Sequence, residues 1–266
     1  MTLSDAAQLF SLGPIEAKLF SIESALHLAV NGQGGDVHLA PERGEVEVLA
    51  PQYHPPKKGL SLREGRARLL HDLANIELQA MELGLRTLIE YPEAPQALKD
   101  ELVELTLSEA RHLNLCLSGL YDLGFKWGDW PVHLALWQAV RPEDRLPDRM
   151  FIVHRYLEGS GLDAQSTLLR RLEGVEDRGT FSILRQIHRE EVDHVYFGSR
   201  WCQKLRDDSI MTSAPSVSLR EQLFRLREQL PKRVEPICHR WRLQAGFTPD
   251  EIEALEEFRQ TWVELR

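Results

Sequence analysis

The chain has 266 residues, 42% hydrophobic and 27% charged, the make-up of a soluble globular protein with room for one large domain or a bundle with appended pieces. No stretch approaches the roughly 18 consecutive apolar residues of a membrane helix. The first residues carry Asp5 and Glu16 rather than a basic-then-apolar leader, so the expected location is cytoplasmic, with no membrane partner. A net charge of −9 argues against general nucleic-acid binding, and three scattered cysteines (Cys116, Cys202, Cys238) exclude a disulfide framework or a zinc ribbon.

Residues 1–60 read as an N-terminal cap. A helix is expected over Pro14–Val30, with Pro near its start and a stop at Asn31-Gly32. Alternating runs at Val37–Ala40 and Val46–Leu49 around Pro41-Glu42-Arg43-Gly44 predict a small hairpin, and Pro51, Pro55 and Pro56 a stiff connector. Residues 61–206 predict four long helices, at Ser61–Ile89, Pro95–Leu123, Pro147–Leu172 and Thr180–Leu205. A connection rich in tryptophan (Trp127, Trp130, Trp137) separates the second from the third and should hold a short helix over Pro131–Val140. Residues 207–266 read as a Ser/Pro-rich linker to Ser218 and then C-terminal helices at Leu219–Leu230 and Pro231–Gln244. A last helix should start at Thr248, with Pro249 at its first position and Glu251 closing a capping box.

Within the four long helices lies an internal repeat. Of ten histidines, only His112 and His194 have a glutamate three residues before them, Glu109 and Glu191. Glu77 precedes Glu109 by 32 residues and Glu158 precedes Glu191 by 33, so each half reads as a glutamate, a helical hairpin, then Glu-x-x-His. Positions i and i+3 share a helix face, so each Glu-x-x-His pair can serve the same or adjacent metal ions. The ligands also fall inside apolar stripes, Leu102, Leu105, Leu113, Cys116 and Leu120 on the second helix and Leu184, Ile187, Val195, Cys202 and Leu205 on the fourth. A carboxylate on a buried face is costly unless something compensates it, and metal coordination does.

Six residues thus form the candidate metal set: Glu77, Glu109, His112, Glu158, Glu191 and His194. Four carboxylates with two histidines are the ligand complement of di-iron and di-manganese bundles, and this mix of oxygen and imidazole suits two iron ions, with manganese as the other option. No catalytic or cofactor-binding residue is expected beyond these ligands. His112 and Glu158 are 46 residues apart, which leaves room for one long crossover. The expected fold is therefore all-α, a ferritin-like four-helix bundle with N- and C-terminal extensions.

The runs Glu64-Gly65-Arg66-Ala67 and Asn75-Ile76-Glu77-Leu78-Gln79-Ala80-Met81-Glu82-Leu83, with Glu109-Ala110-Arg111-His112 and Glu190-Glu191-Val192-Asp193-His194, resemble a bacterial ferritin-like family of unknown function over residues 60 to 205. Asn75 departs from that pattern, which places a histidine there. The family is distantly similar to tRNA-modifying di-iron hydroxylases, and the resemblance implies an O2-activating oxidoreductase of the hydroxylase type. Such an enzyme would take a small-molecule or tRNA substrate and an electron donor. Two alternatives stand beside it: iron or peroxide handling of the ferroxidase kind, and a non-catalytic bundle stabilised by metal. His154 and His188, one turn before Glu158 and Glu191, are further ligand or relay candidates. Leu219–Arg242, with seven Lys/Arg against three Glu, is the one local basic stretch.

Overall fold

The computed structural model describes residues 2–32, 39–210 and 218–263, the last four residues of the middle stretch by backbone alone. The fold is all-α and bundle-like, and the described residues form no strand. The helices are α1 (Leu3–Ala7), α2 (Ile15–Asn31), α3 (Arg63–Glu90), α4 (Gln96–Asp122), α5 (Leu146–Met150), α6 (Glu158–Leu172), α7 (Arg178–Ile210), α8 (Leu219–Arg225), α9 (His239–Gln244) and α10 (Pro249–Val263). Between α5 and α6 the chain continues as one turn-rich π-helix, Phe151–Leu157. Two compact units result: Met1–Trp137 with Asp177–Ile183, and Gln138–Glu176 with Leu184–Arg266.

In the first unit α3 and α4 run antiparallel along their whole length, because small residues let them approach. A Cβ on Gly84 would fall 2.1 Å from Thr106 Oγ1, and one on Gly119 would fall 2.9 Å from Leu70 Cδ1. The apolar stripe expected on α4 is buried throughout, and on α3 Leu73 and Met81 flank Glu77 in the interior. In the second unit the π-helix and α6 pack antiparallel on α7 in the same way, with Gly198 of α7 set against His154.

Three local readings are corrected. Val37 and His38 of the expected hairpin lie outside the described residues, and Val48 instead makes an isolated parallel bridge to Val132. The connection over residues 131–140 holds only a short 3-10 turn, Trp137–Ala139. Its backbone is satisfied from α3 rather than by its own turns: Gln79 Oε1 accepts from the Leu136 and Trp137 amides, and Asn75 and Gln79 both donate to His133 O. Asn75 thus helps hold the crossover in place. The helix expected over residues 231–244 is confined to α9, six residues long. Most of the expected linker, residues 211–217, lies outside the described residues.

Each unit buries a second acid beside its candidate ligand, five residues further along the helix. Glu82 follows Glu77, and Lys18 of α2 donates to Glu82 Oε1 at 2.9 Å while Arg43 donates to both oxygens, at 3.0 and 2.5 Å. Burial lowers the Lys18 pKa, and the Glu82 carboxylate opposes that effect. Asp163 follows Glu158, and Arg242 and Arg259 donate to Asp163 Oδ2 at 2.7 and 2.8 Å. Arg242 also donates to Arg155 O at 3.0 Å, on the π-helix, and lies against the backbone of Gly159. Sequence segments outside the four long helices thus fasten each ligand-bearing helix through a buried ion cluster. In the second unit Arg155 adds a bidentate pair to Glu251, the residue that closes the expected capping box with Thr248.

Removing one partner of such a cluster leaves charge buried without its counter-charge. Glu82→Gln and Asp163→Asn should each lower unfolding free energy by about 3–5 kcal/mol, read as a fall in the urea midpoint at unchanged slope.

Candidate metal centre

In the first unit α3 presents Glu77 and α4 presents Glu109 and His112, all buried. His112 Nδ1 lies 3.4 Å from Glu109 Oε2 and 3.6 Å from Glu77 Oε2, so one imidazole nitrogen converges with carboxylates from both helices. The i, i+3 spacing on α4 sets the first distance, and the close α3–α4 packing sets the second.

In the second unit His194 Nδ1 lies 3.4 Å from Glu191 Oε1, matching the first half. Glu158 is the first residue of α6, directly after the π-helix. A π turn inserts a residue into the helical register and commonly marks a functional position. His154, four residues before Glu158 and so on the same face, places Nδ1 2.8 Å from Glu158 Oε1. The residue four before Glu77 is Leu73, so this histidine contact belongs to the second half alone. His154 is buried, its ring edge-on to Phe197 with centroids 5.1 Å apart.

Glu109, His112, Glu191 and His194, all buried, make up a Glu/His set that could hold a metal ion. The donor set fits that role. Carboxylate oxygens and neutral imidazole nitrogens are the donors that iron, manganese and zinc take, and the interior placement shields the group from bulk water. Among the described residues this is the one such group of histidine, cysteine, aspartate and glutamate.

The cysteines and tryptophans singled out in the sequence serve packing. Cys116 and Cys202 are buried, and burial pushes both thiols up, Cys202 to about 11, so both behave as small apolar side chains. Trp127 stacks on His71 with centroids 4.8 Å apart and Trp130 meets the same ring edge-on at 5.4 Å; burial lowers the His71 pKa to about 4 and keeps it neutral. Trp137 lies under the Arg86 guanidinium. The basic stretch is largely engaged within its own unit. Arg220 pairs with Glu257, Arg225 with Asp148 and the buried Arg242 with Asp163, while Arg227 and Lys232 sit over Trp262.

Sequence reading missed the π-helix and the acid pairs at Glu82 and Asp163. Nothing in Phe151–Leu157 separates a π turn from an α turn. The acids, by contrast, occupy equivalent positions of the 81-residue repeat, and extending that repeat past the ligands would have found them.

A family model described as "Protein of unknown function (DUF455)" matches residues 13–253. The chain is similar to an uncharacterized protein of Haemophilus influenzae (strain ATCC 51907 / DSM 11121 / KW20 / Rd), 31% identical over 225 residues that cover 82% of this chain and 77% of that protein. No solved structure matches the chain.

The packing of α7 on the π-helix gives a paired test. A Cβ at Gly198 would come 2.5 Å from His154 Cβ and 3.1 Å from His154 C, whereas one at Gly161 meets nothing within 4 Å. Gly198→Ala should destabilise by about 1–3 kcal/mol through overpacking. Gly161→Ala, within α6, should stabilise by about 0.5–1 kcal/mol through helix propensity. Chemical denaturation of the two variants checks the opposite signs.

Proposed function

The chain belongs to the DUF455 family of proteins of unknown function, and from the chemistry of its site we propose that it is a ferritin-like di-metal carboxylate protein, an O2-using oxidoreductase of the hydroxylase type. The observation that carries the reading is the buried group Glu109, His112, Glu191 and His194. We assign Glu77 and Glu158 to complete a six-residue set, since each holds the same place in its half of the repeat. In this reading two bound iron ions, with manganese as the other option, would supply redox chemistry toward O2. The four carboxylates neutralise the ions, and His112 and His194 donate one nitrogen each.

The chain's own residues would do the rest. His154, 2.8 Å from Glu158 Oε1, orients that carboxylate. The two ion clusters keep the ligand helices from shifting when charge changes in the interior. Burial of Glu77, Glu109, His112, Glu191 and His194 keeps bulk water from the site.

The unlikeness of the two halves favours catalysis over iron storage. Among the described residues, only the second half has a π-helix and a histidine four residues before its lone glutamate, an asymmetry that a substrate-facing side would use. A small-molecule substrate is favoured over tRNA, because the basic stretch is engaged by acids and rings within its own unit. Electrons would come from a separate donor.

Glu109→Ala and His194→Ala test the assignment. Each should lose at least 100-fold in Fe(II) affinity, at least 2.7 kcal/mol, while far-ultraviolet circular dichroism still reports the helices of the metal-free protein. Full iron retention in both variants would sink the proposal.

A further inference from the structure

The internal repeat continues beyond the six candidate ligands, and at one level its two copies differ in kind. In the first half, Gly84 stands two turns after Glu77 and Thr106 one turn before Glu109. That level is closed: a Cβ on Gly84 would strike Thr106 Oγ1, and the Thr106 hydroxyl donates to its own helix at Leu102 O, 2.7 Å away. The equivalent residues of the second half are Gln165, seven after Glu158, and His188, three before Glu191. Both lie on the ligand-bearing faces of α6 and α7.

Gln165 and His188 are buried and joined, with His188 Nδ1 3.2 Å from Gln165 Oε1. Since the amide oxygen accepts, Nδ1 carries the proton and Nε2 keeps its lone pair. That Nε2 is buried and has no hydrogen-bond partner among the described residues. The ring also meets Trp241 of α9, edge to face with centroids 4.8 Å apart. Burial lowers the pKa of His188, so the imidazole is neutral. A buried acceptor left without a donor is costly, and native interiors keep few of them without a function.

We propose that His188 Nε2 is the acceptor of a ligand subsite in the second half, binding the N–H or O–H of a small uncharged polar molecule one helical turn from Glu191. Gln165 fixes the tautomer, and Trp241 fixes the ring plane. A neutral lone pair selects a hydrogen donor and gives nothing to an anion, which sets the ligand class. That this ligand is the substrate of oxidation rests on the di-metal reading; the hydrogen bond itself does not.

The test uses full-length protein carrying 15N-histidine, with and without Zn(II) as a diamagnetic ion, and two probes. Acetamide carries N–H donors, and N,N-dimethylacetamide has the same carbonyl without them. Acetamide should shift the His188 Nε2 resonance saturably, with or without zinc, and the dimethyl compound should not; His188→Thr identifies the resonance by its loss. Equal response to both probes, response to neither, or an Nε2 signal already hydrogen-bonded in probe-free protein through a resident water would overturn the proposal. The double variant Gln165→Gly/His188→Thr rebuilds the closed pair of the first half, and it should fold with unchanged zinc stoichiometry. Loss of zinc there would overturn the proposal too, by making His188 a metal ligand. Failure of zinc to bind the unaltered protein would count against the metal centre and leave the acetamide test standing.

Discussion

A carboxylate on the buried face of a helix must be given positive charge; the first half buries Glu77 and Glu82 on α3, and the second buries Asp163 on α6 with Glu158 half-buried before it. The second acid of each pair, Glu82 or Asp163, is neutralised by two cations. The first, Glu77 or Glu158, stands five residues earlier, within 3.6 Å of His112 Nδ1 or 2.8 Å of His154 Nδ1 respectively. The rest of the architecture follows from this burden. Residues outside the four long helices supply Lys18 and Arg43 to one half and Arg242 and Arg259 to the other, so those segments are part of what holds the ligand helices. Buried ion clusters seldom add net stability over an apolar core, but they fix one arrangement of the groups that join them. For a site whose ligands must keep their positions on rigid helices, that specificity is the useful property.

The two halves share a plan and diverge in detail. Glu-x-x-His has the same internal distance in both, 3.4 Å. Around it, the first half is closed with glycine and threonine at the helix crossing. The second carries a π-helix, a histidine on its lone glutamate and the Gln165–His188 pair. The repeat thus keeps its Glu-x-x-His geometry and changes what surrounds it.

Much of this was legible in the sequence, for physical reasons. Long apolar stripes of period 3.6 made the four helices readable, and a pair of Glu-x-x-His motifs in register with Glu77 and Glu158 made the candidate ligands readable. The Thr248–Glu251 capping box was readable because it is local chemistry. What escaped was tertiary. Gln79 takes the backbone amides that the crossover would have needed to form a helix, and residue 48 pairs with residue 132 across more than eighty positions. The π turn at Phe151–Leu157, against which Gly198 of α7 packs, has no signature in a window of sequence. Lys18 and Arg43 look like ordinary surface charges until the fold brings them to Glu82.

The measurement that bears most directly on the account is an anaerobic titration of metal-free protein with Fe(II), with bound iron counted per chain and O2 uptake followed after air is admitted. Two irons per chain, and oxygen consumed in proportion to the iron bound, is the predicted result. Iron that fails to bind in that ratio, or binds and leaves oxygen untouched, would contradict a di-iron oxidoreductase and reduce the buried Glu/His group to a structural metal site.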